Sequence, residues 1–209
     1  MSDATFSDPG APFDPAIGLL EFESIVVGIV AGDAMVKASP ISSLHAGTVH
    51  PGRYLVLVGG DTAAVEIALE AGGTDTVIDS LFLADVHPLV MAAITTPNTA
   101  AAVTDDAIAI VETSSVATAI VAADAGVKAA DVTLPALRLA DDLGGKAYCF
   151  FVGTVADVEA ALERAVLASE QRGTLIQTAV IPQLHPEMRE NLGLELRFNQ
   201  RVRRPDGRA

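Results

Sequence analysis

With 209 residues, half of them apolar, a mean hydropathy of +0.42 and only 19% charged residues, the chain holds more apolar material than a lone soluble domain readily hides. Its net charge of −14 and isoelectric point near 4.5 argue against nucleic acid as a partner, since phosphate binding needs a basic face. The single Cys149 excludes an internal disulfide framework or a multi-thiolate metal site within one chain, and the longest apolar stretch, Ile25 to Gly32, meets Asp33 far short of the ~20 residues that a membrane span requires.

The opening segment MSDATFSDPGAPFDP has three Asp, no basic residue and no apolar core. Residues 1–15 are therefore expected to be an N-terminal extension without secretory or transit character, on a cytoplasmic protein. Ile17 to Phe22 is a short apolar run that predicts a strand, and Ser24 then caps an amphipathic helix ending near Lys37. Ile41 to Thr48 and Arg53 to Val58 face each other as a hairpin across a glycine-bearing loop. Asp61 caps a second helix running to about Ala71, Leu81 to Val86 is expected as the last strand, and His87-Pro88 opens a short helix with proline at its first position, where the missing N–H costs nothing. The polar stretch TTPNTAAAVTDD follows, with residues 96–106 as linker.

The same series then recurs. Ala107 to Ala129 matches Ala16 to Ala38 at an offset of 91, with about half the positions identical. Its strand is Ile108 to Thr113, its cap Ser115 and its final lysine Lys128. The hairpin is Val132 to Leu139 with Lys146 to Val152, and Thr154 caps the next helix, which runs to about Ala168. Thr174 to Ile181 is the last strand, and His185-Pro186 opens the final helix. Two domains, 16–95 and 107–194, are thus joined head to tail, each an α+β sandwich of order βαββαβα. The tail, residues 195–209, is basic: from Arg197 onward it holds five arginines and one aspartate, leaving −18 on the remainder, and it is expected to be disordered.

The segments GLLEFESIVVGIVAGDAMVKAS, GGDTAAVEIALEAG, IVETSSVATAIVAADAGVKAADVTL and VIPQLHPE resemble the bacterial microcompartment (BMC) shell-protein domain in its tandem, unpermuted form, over roughly residues 16 to 192. TVHPGRYLVLVGGD, VIDSLFLADVHP and LGGKAY are most similar to the trimeric branch from propanediol-utilisation microcompartments. The resemblance implies a ferredoxin-like fold in each half and a homotrimer mimicking a hexamer, tiling a shell in the cytoplasm beside other shell proteins and around encapsulated enzymes. It also implies an axial pore for small metabolites.

In that family the hairpin loops face the axis, which designates Val49, His50, Pro51 and Gly52 in the first half and Asp141, Asp142, Leu143, Gly144 and Gly145 in the second, whose loop, counted from Ala140, is two residues longer. From the residues alone, Pro51-Gly52 and Gly144-Gly145 serve equally as ordinary turn chemistry. The branch carries a cysteine where this chain has His50, three such thiolates holding an iron–sulfur cluster. No cofactor is expected here, Cys149 lying in the apolar run AYCFFV, while His50 remains a candidate for metal binding, for hydrogen bonding to a solute, or for plain solvation. Asp141 and Asp142 form either an acidic rim favouring cationic or neutral solutes or a solvated loop pair.

Lys37 and Lys128 pair locally with Asp33 and Asp124 at i,i+4, and the family places the matching lysine along the tile edge. His87 and His185 are taken as structural. The family's usual arginine before the second His-containing turn is absent from Ile181-Pro182-Gln183-Leu184-His185, which leaves an edge contact of that kind without its cation. No catalytic triad, P-loop or dinucleotide fingerprint is present, so the chain is expected not to be an enzyme. The alternative is a trimeric ligand-binding regulatory protein, since tandem α+β sandwiches also build sensors.

Overall fold

The computed structural model describes residues 15–95 and 107–192; the expected N-terminal extension, the linker 96–106 and the basic tail lie outside these. In chain order the elements are β1 (Ala16–Phe22), α1 (Ile25–Ala38), β2 (Ser43–Val49), β3 (Arg53–Gly60), α2 (Thr62–Gly72), β4 (Val77–Leu83) and α3 (Pro88–Thr95). The second half has β5 (Ala107–Thr113), α4 (Val116–Ala129), β6 (Thr133–Leu139), β7 (Ala147–Gly153), α5 (Val155–Glu170), β8 (Leu175–Ile181) and α6 (Pro186–Leu192). Each half forms one antiparallel sheet, β2-β3-β1-β4 and β6-β7-β5-β8. The repeat is also a repeat in register: Ile17 pairs with Gly59 and Leu83, as Ile108 pairs with Val152 and Ile181.

The caps form as the sequence predicts. Ser24, Asp61, Ser115 and Thr154 each accept a hydrogen bond from the backbone N–H three residues on, so each helix begins with a satisfied orphan donor. Most expected ends shift by no more than two residues, but one element is displaced: the last strand of the first half is Val77–Leu83, not Leu81 to Val86. Its first residues, Val-Ile-Asp-Ser, alternate because β4 is an edge strand with one face against the other half, and the polar Asp79 and Ser80 obscured the pattern.

The two halves use the same frame with complementary side-chain volumes. Gly28 of α1 lies under the Tyr54 ring, where an added Cβ would come within 2.5 Å of it; the matched residues of the second half are Ala119 and Ala147. Conversely Met35 and Val58 correspond to Gly126 and Phe151, and a Cβ on Gly126 would sit 2.3 Å from the Phe151 ring. A large residue on the sheet requires a small one on the helix, so total volume is kept.

The halves pack face to tail. Each sheet carries its own two long helices on one face, and on the other face of the first sheet lies α4 of the second half. Ile17, Leu19, Leu57 and Leu81 from the first sheet join Val116, Ala117, Ile120 and Val127 of α4 in one continuous core. Helix α4 is therefore buried nearly all round, whereas its counterpart α1 buries only Gly28, Ala31, Gly32 and Met35.

Candidate pore loops and the seam that positions them

The two hairpin loops come together at the seam between the halves. In the first, β2 runs to Val49 and β3 resumes at Arg53, with Gly52 N–H donating to the Val49 carbonyl at 2.8 Å and Gly52 at φ 111°, a conformation natural only to glycine. In the second, the ladder continues through Ala140 N–H to the Lys146 carbonyl, so the loop proper is Asp141 to Gly145, two residues longer. Ala140 and Asp142 both have positive φ, at 59° and 61°, and the turn is closed by Leu143 N–H to the Ala140 carbonyl at 3.0 Å.

His50 and Asp142, 92 positions apart in sequence, face each other: Nδ1 lies 3.6 Å from the carboxylate, too long for a hydrogen bond but close enough for attraction to an imidazolium. Gly145 lies against the first loop, since a Cβ there would stand 3.2 Å from Pro51 and 3.3 Å from the Arg53 guanidinium. Within one chain, then, the loop residues singled out in sequence form one contiguous cluster. Beside them an open cleft of about 470 Å³ runs between β2 and β6, with His45, Thr48, Arg138 and Asp141 among its polar lining and Ala93 and Ile94 of α3 among its apolar wall.

Neither loop carries a thiolate that could ligate an iron–sulfur cluster. An imidazole stands at the loop position, and Cys149 is fully buried in β7, where desolvation pushes its thiol up to about 12. No group of three or more His, Cys, Asp or Glu able to hold a metal occurs among the described residues.

Sequence reasoning missed the polar contacts that fix the loops by fixing the halves. Glu21, at the end of β1, has a side chain only 1% exposed and accepts the Val116 N–H at 2.6 Å, which places a carboxylate at the N-terminus of α4. Its second oxygen has no hydrogen-bond partner and lies 4.0 Å from the Arg53 guanidinium. Burial pushes this carboxyl up to about 7, with the Val116 N–H opposing, Asp79 reinforcing and Arg53 opposing the shift. Asp79 of β4 accepts from Ser115 Oγ and Thr118 Oγ1 and pairs with Arg172, whose Nε donates to Thr118 Oγ1 at 2.9 Å. Farther along, the His87 N–H donates to Asp124 at 2.8 Å, and Lys128 Nζ donates to Asp124 and to the Asp85 carbonyl.

Both lysine pairs foreseen from the sequence form, Lys37 with Asp33 at 2.5 Å and Lys128 with Asp124 at 2.6 Å, but they are not equivalent: Lys37 is largely solvent-exposed and Lys128 lies on the internal seam. His87 and His185 stand at the starts of α3 and α6, and each ring nitrogen Nδ1 accepts from the backbone N–H two residues on, a capping role.

A family model for the BMC domain matches residues 16–87 and again residues 107–184. The bacterial microcompartment shell protein PduT of Citrobacter freundii is 41% identical over 176 residues, 83% of this chain and 95% of that one. A solved microcompartment protein from Desulfitobacterium hafniense DCB is 40% identical and superposes with a TM-score of 0.72, covering 84% of this chain and 98% of its own. The fused permuted hexameric shell protein of the RMM microcompartment, at 20% identity and a TM-score of 0.54 over 74% of this chain and 83% of its own, shares the fold.

Proposed function

The chain belongs to the BMC-domain family of bacterial microcompartment shell proteins, in its tandem form, and on that premise we propose that it is a structural tile of such a shell, in the cytoplasm, rather than an enzyme. The tile is a homotrimer in which six domains surround an axis. Val49, His50, Pro51 and Gly52 alternate around that axis with Asp141, Asp142, Leu143, Gly144 and Gly145. The observation that carries this reading is the meeting of the two loops across the internal seam, His50 beside Asp142 and Gly145 against Pro51.

Three copies of that cluster around an axis would ring a narrow passage with imidazoles, carboxylates and glycine backbone. In a low-dielectric neck such a ring concentrates cations, passes neutral polar metabolites and opposes small anions. His50 supplies a hydrogen-bonding imidazole where the related branch carries a cluster-holding thiolate, so passage of solutes, not electron transfer, is the function proposed. Lys37 lies on the tile edge against neighbouring shell proteins, its aliphatic stem covering apolar surface and its head in water. Enzymes are retained on one side of the sheet and small metabolites exchange through it.

Co-expression with the other shell proteins of a host microcompartment tests the proposal. The tagged chain should co-purify with intact shells and, released from them, should have a native mass three times 21.5 kDa. A chain excluded from shells, or of another mass, would overturn it.

A further inference from the structure

One cation joins the buried seam to the loops. The Glu21 side chain, 1% exposed, is shut between β1 and the N-terminus of α4: one oxygen accepts the Val116 N–H, and the other has no hydrogen-bond partner and stands 4.0 Å from Arg53 Nη1. Facing this carboxyl are Arg53 from β3, Asp79 from β4 and the backbone N–H groups of Val116 and Ala117 from α4, while Arg172 is held by Asp79. Of these groups Arg53 also reaches the loops. Its Nη1 donates to the Ser114 carbonyl at 3.4 Å, a long hydrogen bond, and its guanidinium lies against Gly145 beside Pro51. The matched pair of the second half is built differently, since Glu112 and Lys146 are in direct contact at 2.8 Å. There the ion pair is complete. In the first half the carboxyl oxygen is open and the guanidinium is weakly held one short step away.

We propose that Arg53 is a specificity-determining residue of the passage, and that the proton on Glu21 sets how much of the Arg53 charge the loops feel. The inference rests on the passage proposed above and adds the residues that regulate it. With Glu21 protonated, Arg53 is an uncompensated cation beside Pro51 and Gly145 and offsets part of the acid of Asp141 and Asp142. When Glu21 releases its proton to water, the new carboxylate draws the guanidinium inward from the Ser114 carbonyl, because attraction between opposite charges is strong where water is excluded. The loops then present acid without its counterweight. Burial keeps the proton on Glu21 up to about pH 7, so the change falls close to neutrality. The passage discriminates least against anions below that pH and most above it.

The test uses a His50→Asn background, because histidine is the other side chain that ordinarily changes charge near neutrality. In shells reconstituted with that protein, entry of labelled formate relative to methylammonium should fall about threefold or more from pH 6 to pH 8. Adding Glu21→Gln, which keeps an acceptor for the Val116 N–H but cannot ionise, should hold the ratio at its pH 6 value throughout. Arg53→Gln should hold it at the pH 8 value, and Arg53→Lys, which keeps the charge, should retain a pH dependence. Circular dichroism checks that each variant folds. On the purified protein, the amide resonances of Gly52 and Gly145 should titrate together near neutrality, and should cease to do so with Glu21→Gln. Shells whose charge preference is the same with and without this chain would overturn the passage itself. A pH-dependent preference that survives Glu21→Gln in full, or glycine resonances indifferent to that change, would overturn the role of Glu21 and Arg53 while leaving the passage standing.

Discussion

Glu21 is the residue on which the internal seam is most sensitive to pH. Its carboxyl is raised from 4.5 to about 7 by burial, so the folded state binds the proton more tightly than the unfolded chain does. The associated stability is complete below about pH 4.5 and is lost as pH rises through about 7, a fall of up to about 3 kcal/mol. Denaturant titration between pH 5 and 8 should show that fall in the parent and a flatter profile in Glu21→Gln, whose amide oxygen still accepts the Val116 N–H; identical profiles would refute it. At the loops, Asp141→Asn with Asp142→Asn should reduce the preference of reconstituted shells for cationic over anionic solutes. Asn tolerates the positive φ of Asp142, so the loop keeps its shape and only charge is removed. The loop residues were legible in sequence as a glycine-bearing hairpin, and the lysine pairs and caps as local spacings of three and four. Glu21, Asp79 and Arg172 were not, because their partners lie 36 to 95 positions away and nothing local marks them. The only available signal was that Glu21 and Glu112 recur identically at the ends of apolar strands.

The elements explain why two copies of one sequence behave differently. Helix α4 is sandwiched between two sheets and α1 lies on one, although both begin at a capping serine and end in an Asp-to-Lys pair. Each copy was readable as a strand, helix, hairpin, helix, strand and short helix from periodicity and caps, with β4 displaced because its polar residues serve the seam. The paired volumes of helix and sheet were not readable, since Gly126 in isolation resembles any weakly helical glycine. Its reason is the Phe151 ring above it. Gly126→Ala should therefore lower stability by about 1–3 kcal/mol instead of gaining the usual helix-propensity benefit of alanine, measured as a shift in the denaturation midpoint. The companion change Phe151→Val, imitating Val58 of the first half, should recover much of that loss; failure of the pair to compensate would show that the site does not pack as described.

At the scale of the whole molecule, the surplus of apolar residues over charged ones finds its place. Much of it lies between the halves, and the exposed large apolar residues include a row of five on α1, Ile25, Val26, Ile29, Val30 and Val36. Domain duplication was visible in the sequence as a 91-residue offset, but the direction in which one half sits on the other was not, because stacking depends on surfaces that a repeat shares equally. A tile needs edges as well as seams. Lys37→Asp should leave the oligomer intact by native mass and prevent its lateral association, whereas continued sheet growth would remove Lys37 from the edge. The most direct test of the central claim is electron microscopy of the purified parent protein. Extended hexagonally packed sheets or tubes are expected, with a repeating unit of three chains around a central opening. Discrete particles that never associate laterally, or a repeating unit with a number of chains other than three, would contradict it.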